Sequence, residues 1–239
     1  MSNYELFSFP GPEQLAAAAA RAWMDDLKIA DSNEAPYCVA LSGGRIARQL
    51  FSASAGLAKT ERLSLDTVEF FWGDERCVPP GDPESNFLVA RELLLVPLGI
   101  AESRIHRVRG EEEPEFAASE AEAELCRIAS LDEDGQPVLD LIFLGMGEDG
   151  HVASLFPGEP KEVRDSKAVY RPVTAPKPPP RRITLGYRAI AAAREVWVLA
   201  SGAGKEGALR ESLAPGGKTP LAEALRRRKS TKFYTDIRA

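Results

Sequence analysis

Apolar residues along this chain follow two rhythms that alternate. Short continuous runs at Tyr37–Leu41, Val68–Trp72, Leu139–Leu144 and Val196–Ala200 read as strands buried on both faces. Between them lie stretches of helical period: Glu13–Ile29 behind Pro12, a segment from the Ser42-Gly43-Gly44 turn through Leu57, Ser85–Leu95, Pro114–Ile128, and Ala203–Leu213 behind a Gly-Ala-Gly turn. Shorter strands are expected near His106–Val108, at Ala168–Thr174 and at Ile183–Leu185, the last two on either side of the proline cluster Pro176–Pro180. Gly73–Pro83, with three prolines, reads as a loop. Strand–helix alternation of this kind predicts an α/β fold, a doubly wound, mostly parallel, Rossmann-like sheet with helices on both faces. No linker or repeat interrupts it, so one domain over residues 1–239 is expected.

Composition narrows the class without naming a function. The 239 residues are 44% hydrophobic and 28% charged, ordinary for a globular protein. A net charge of −6 argues against a nucleic-acid partner but leaves room for a small anionic ligand, which responds to local cations. Three cysteines without CxxC spacing indicate neither a disulfide framework nor a zinc knuckle, and a reducing cytoplasm is expected. The N-terminal residues lack a signal-peptide pattern, and no run of about 18 apolar residues exists, so neither export nor a membrane partner is expected. The acidic patch Glu111–Glu113 and the basic run Arg226–Lys229 read as solvated surface.

The candidate chemistry concentrates at Leu141–Gly158, LIFLGMGEDGHVASLFPG, where a buried strand runs into a glycine turn carrying His151, one of two histidines. Ligands of open α/β sheets bind beyond the carboxyl ends of strands. Asp149, two residues earlier, is placed to orient an imidazole whose unperturbed pKa of about 6.5 suits a general base. The same letters spell GxGxxG, but Pro157 stops any helix within about two turns, so the dinucleotide fingerprint lacks its helix. His106 and His151 have no ligand-spaced partner for zinc, and Ser42 and Ser154 lie in no GxSxG elbow. No cofactor or metal is called for.

Several turns suit an anion. Ser42-Gly43-Gly44 stands between a strand and a helix, where backbone N–H groups and the helix dipole converge, and Arg45 adds a cation. Arg76 presents a planar fork, although Asp74 and Glu75 are equally placed to pair with it. Lys177 and Arg182 flank the stiff proline run, and Lys205 follows a glycine turn. Four cation-bearing loops are thereby expected at strand ends of one sheet.

The segments SGG at 42–44, FFWGDERCVPPGDPESNF at 70–87, LGMGEDGHVASLFPG at 144–158, TAPKPPPRRITL at 174–185 and SGAGKEGAL at 201–209 together resemble the 6-phosphogluconolactonases, within the wider glucosamine-6-phosphate isomerase/deaminase superfamily. The resemblance implies a Rossmann-like fold and hydrolysis of 6-phospho-D-glucono-1,5-lactone, a phosphosugar lactone, by a monomer or weak homo-oligomer. It implies His151 as general base, Arg76, Lys177 and Arg182 as phosphate contacts, Lys205 as the superfamily's phosphate-binding lysine, and Ser42, Gly43 and Gly44 as its phosphate loop. Amino-sugar-phosphate isomerases resemble the chain around Asp74, Asp149 and His151, but carry a ring-opening glutamate where this chain has Phe156. Non-catalytic sugar-phosphate sensors of this fold carry a DNA-binding domain, whereas here the fold is expected to begin within about a dozen residues of Met1. One departure matters: the hydroxyl residues that usually follow SGG are replaced by Arg45, Ile46 and Ala47.

Overall fold

A computed structural model describes residues 3–30 and 35–237. In chain order its elements are β1 (Glu5–Ser8), α1 (Pro12–Ala30), β2 (Tyr37–Leu41), α2 (Arg45–Glu61), β3 (Val68–Trp72), β4 (Asp74–Arg76), α3 (Asn86–Ala90), α4 (Val96–Leu98), α5 (Pro114–Ile128) and β5 (Leu141–Gly145). They continue with α6 (Lys161–Arg164), β6 (Tyr170–Thr174), β7 (Arg181–Leu185), α7 (Tyr187–Ala192), β8 (Glu195–Ala200), α8 (Glu206–Leu213), α9 (Pro220–Arg226) and β9 (Lys232–Thr235).

Six strands form a parallel sheet in the order β1-β9-β8-β5-β2-β3. Its centre is almost entirely apolar, because α-helical crossovers cover both faces. Trp23 of α1 meets Phe143 of β5 edge-on at 5.1 Å, and Phe143 meets Trp197 of β8 at 5.7 Å, all fully buried. Chain direction across the sheet reverses between β2 and β5: β2 leads through α2 to β3 on one side, and β5 leads to β8 and β9 on the other. A crevice is expected at the carboxyl ends of two such strands. The Ser42 and Gly145 turns both open there.

The single sheet expected from the strand pattern is in fact two. β6 and β7 stand apart from the parallel sheet: β7 pairs antiparallel with β6 on one side and, on the other, with β4, a strand lying inside the segment read as the loop Gly73–Pro83. Three residues between prolines and glycines carry too little pattern to announce a strand; β4 exists because β7 offers it a partner. Arg76 and Arg182 therefore lie within strands and not on loops at strand ends. The expected helix Ser85–Leu95 breaks into α3, a wider turn at Arg91–Leu95 and α4, and the expected strand near His106 reduces to one bridge between Ile105 and Phe70. The basic run is also not simply solvated. Arg228 is buried and donates to the carbonyls of Ile190, Ala191 and Ala193 at 2.7–3.0 Å, while Arg227 pairs with Asp165 and Glu223.

Candidate active site

Alternation along paired strands puts the second sheet's polar groups on one face. Asp74 and Arg76 are two apart on β4, Arg182 and Thr184 are two apart on β7, and the register sets Arg76 opposite Arg182 and Asp74 opposite Thr184. Two like charges directly opposite each other are unfavourable, an arrangement an anion between them would relieve. Arg182 is 3% exposed and has no ion-pair partner among the described residues. Its Nε donates to Pro179 O at 3.0 Å, and the guanidinium lies 5.7 Å from the Phe156 ring. Burial and the neighbouring Arg76 both push its pKa down. Arg76 donates to the backbone oxygen of Glu84, yet its buried Nε has no acceptor among the described residues.

Across the cleft the end of β2 supplies the complementary wall. Gly44, at φ 96°, begins α2 without a side-chain cap, so first-turn N–H groups of a 17-residue helix are left for water or a ligand. Arg45 reaches toward the Gly202 turn, where a Cβ would lie 3.8 Å from its Nη2. Lys205 is its neighbour, and burial together with the Arg45 charge lowers the lysine's pKa. Gly43 admits no side chain, because a Cβ there would lie 1.8 Å from Asn86 Oδ1.

His151 sits on the turn after β5. Its Nδ1 lies 2.5 Å from Asp149 Oδ1, and its own N–H donates to the same oxygen at 3.2 Å. With Asp149 ionised, Nδ1 carries the proton and Nε2 is left as the free base. Burial lowers the imidazole's pKa and the charge of Lys177 lowers it further, against the opposing pull of Asp149. Burial alone would raise the Asp149 carboxyl, but its hydrogen bonds with His151 hold it below the usual range. Gly147 makes room for the ring: a Cβ there would lie 2.0 Å from Nδ1. Phe156 backs the ring at 5.0 Å between centroids.

Ser42, Gly43, Gly44, Arg45, Asp74, Arg76, His151, Arg182 and Lys205 thus border one cleft of about 120 Å³. Asp149 stands behind His151, and Lys177 is exposed on the proline turn outside the lining. A larger hollow of about 460 Å³ is lined by His106, Arg107 and Arg127, but these are already matched by Glu69, Glu111 and Glu124. No cluster of three or more histidine, cysteine or acidic side chains is placed to hold a metal among the described residues.

The family model of the glucosamine-6-phosphate isomerases/6-phosphogluconolactonases matches residues 10–233. The chain belongs to this family. The 6-phosphogluconolactonase of Streptomyces coelicolor is 36% identical over 235 residues, covering 95% of this chain and 90% of that protein. That of Mycobacterium tuberculosis is 34% identical over 219 residues, covering 90% and 87%. The solved structure of Trypanosoma brucei 6-phosphogluconolactonase superposes with a TM-score of 0.81 at 29% identity, covering 98% of this chain and 96% of that one. A monomeric glucosamine-6-phosphate deaminase reaches the same TM-score, 0.81, at 20% identity, a likeness of fold.

Two residues of this family member escape reading by motif. Asn86 lines the cleft and donates from Nδ2 to Asp74 O at 2.9 Å; it stands in the quoted ESNF segment, but nothing in its spacing separates it from a loop asparagine. Ser154, unsuited as a nucleophile by motif, is fully buried and donates to Asp74 Oδ2 at 2.6 Å, with Arg182 Nη1 3.5 Å away. Its hydroxyl braces the face that carries Asp74 and Arg182.

Proposed function

We propose that this chain hydrolyses 6-phospho-D-glucono-1,5-lactone to 6-phospho-D-gluconate, with His151 as general base. The observation that carries the reading is the His151–Asp149 pair backed by Phe156 at the rim of a cleft walled by Arg45, Arg76, Arg182 and Lys205. A lactone is an activated ester, so its hydrolysis needs a positioned water and a base. Nε2 of His151 takes a proton from water as oxygen attacks C1; the tetrahedral intermediate then collapses, breaking the bond between C1 and the ring oxygen, which leaves as the C5 hydroxyl once protonated. Asp149 steadies the imidazolium formed on the way. Arg76 and Arg182 on one wall, and Arg45, Lys205 and the start of α2 on the other, anchor the phosphate, with Lys177 adding charge at the rim. Binding energy at the remote phosphate thereby orients C1.

An isomerase or deaminase of the same family needs a carboxylate to assist ring opening. Phe156 occupies that place here, and its ring packs near both His151 and Arg182. We further propose one domain working in the cytoplasm as a monomer or weak homo-oligomer, without nucleic-acid or membrane partners. The free cysteines Cys38, Cys77 and Cys126 support that compartment.

The test generates the lactone in situ from glucose 6-phosphate and its dehydrogenase, adds the protein and follows acid release. Hydrolysis well above the spontaneous rate is expected; a rate equal to background removes the reading.

A further inference from the structure

Glu75 stands between Asp74 and Arg76 on β4, so alternation turns its side chain away from the cleft, into the protein. It is 2% exposed. No cation meets it: among the described residues the carboxylate has no ion-pair partner. Four donors surround it instead. Oε1 accepts from the N–H of Arg76 and of Asn86, each at 2.8 Å, and Oε2 accepts from the N–H of Phe87 at 2.7 Å and the Ser85 hydroxyl at 3.1 Å.

These four bonds fill the acceptor capacity of an ionised carboxylate, and a protonated one would point its own O–H at a donor. The same short turn carries much of the binding wall. Arg76 leans on the carbonyl of Glu84, next to Ser85, and the Asn86 amide ties Asp74 to the wall of Gly43. We propose that Glu75 is a positioning residue, its ionised carboxylate holding the Ser85–Phe87 turn so that Arg76 and Asn86 stand ready for the substrate's phosphorylated end. This rests on the phosphosugar reading of the cleft.

The device is sensitive to pH. Burial pushes the Glu75 pKa up to about 7, against the hydrogen bonds from Asn86, Arg76 and Phe87, and the charge of Asp74 adds to the rise. The other groups facing it are the Cys77 thiol and Arg107, whose charge is already taken up by Glu111. Protonation on descending through that pKa leaves one donor of the turn unmet. Anion affinity should therefore fall as the pH drops through about 7, above the range in which His151, held below 6.5, gains its own charge in the cleft.

The substrate phosphate itself titrates near pH 6, so the probe is inorganic sulfate, whose charge is constant across about pH 5.5–8. Calorimetry on the wild-type protein should show sulfate binding weaken about threefold as the pH falls from about 8 to about 6.5, before His151 in the same cleft takes up its proton. In Glu75→Gln the limb should vanish, with kcat/KM for the lactone down about tenfold and most of the loss in KM, because an amide presents one acceptor atom and turns a donor toward the Phe87 N–H or the Ser85 hydroxyl. Glu75→Asp should recover part of the loss. Should Glu75→Gln not fold, Ser85→Ala removes one stabilising donor and should move the wild-type limb to higher pH.

A pH-independent sulfate affinity in the wild type overturns the proposal. So does a folded Glu75→Gln protein that keeps the limb and the KM. A merely structural Glu75 would lower the melting temperature and leave the limb in place. Sulfate binding does not require turnover, so a protein that binds sulfate with this pH dependence but hydrolyses no lactone would refute the proposed reaction and leave the role of Glu75 standing.

Discussion

Gly147→Ala adds one methyl group to the turn and should remove most of the catalysis. Gly147 does not need a left-handed backbone, so alanine introduces no conformational strain of its own. The new Cβ would instead lie 2.0 Å from His151 Nδ1, 2.1 Å from Cε1 and 2.7 Å from Asp149 Oδ1, where ordinary contact begins at 3.4 Å. The imidazole must retreat by about 1.4 Å, and in these systems a displacement of about 1 Å can cost 10²-fold in rate. Moving off Nδ1's partner also breaks the bond that fixes the tautomer. General-base help is worth roughly 10²–10⁴-fold, so kcat should fall about 10²-fold, or about 2.7 kcal/mol, approaching the loss in His151→Ala. The cations of the cleft are untouched, so affinity for 6-phosphogluconate should change less than about threefold. The assay pairs acid release from the phosphorylated lactone with calorimetric titration of the product. A Gly147→Ala protein with wild-type kcat would mean that His151 does not work from the position it occupies, and the general-base assignment would fall.

Further outcomes follow from the same geometry. His151 is held below its usual pKa by burial, so at saturating substrate log kcat should drop as the pH falls through a midpoint below about 6.5; Asp149→Asn removes a group that raises it and should move that limb to still lower pH while lowering the plateau, and a shift upward would contradict the pairing. Arg76→Ala should raise KM for the phosphorylated lactone roughly ten- to over a hundred-fold, the equivalent of about 1.5–3 kcal/mol, and barely affect unphosphorylated gluconolactone; equal losses on both would assign Arg76 to the fold of the cleft. Arg228→Met leaves the carbonyls of Ile190, Ala191 and Ala193 without their donor and should cost about 2–4 kcal/mol in urea unfolding at unchanged kcat, an expectation defeated by a loss under about 0.5 kcal/mol.

The parallel sheet could be read from the sequence because each of its central strands is buried on both faces and so becomes a continuous apolar run, Tyr37–Leu41 or Leu141–Leu144, separated by amphipathic helices. The same held for the chemistry that is local in the chain. His151 and Asp149 are two residues apart on one glycine turn, and Ser42-Gly43-Gly44 directly precedes α2. Local spacing alone makes such groups neighbours. The second sheet had no comparable signal. β4 is three residues long, and its pairing with β7, more than a hundred residues away in the chain, is what sets Arg76 opposite Arg182 and hides Glu75 beneath them. Charge alone could not separate Arg182, buried and without a counter-ion among the described residues, from Lys177 five residues earlier and exposed, nor Arg228, capping carbonyls in the interior, from the exposed Lys229 beside it. Burial and partnership of a charge are properties of the space around it, and that space is made by segments distant in the chain; only the tertiary structure could decide which cations bind and which support.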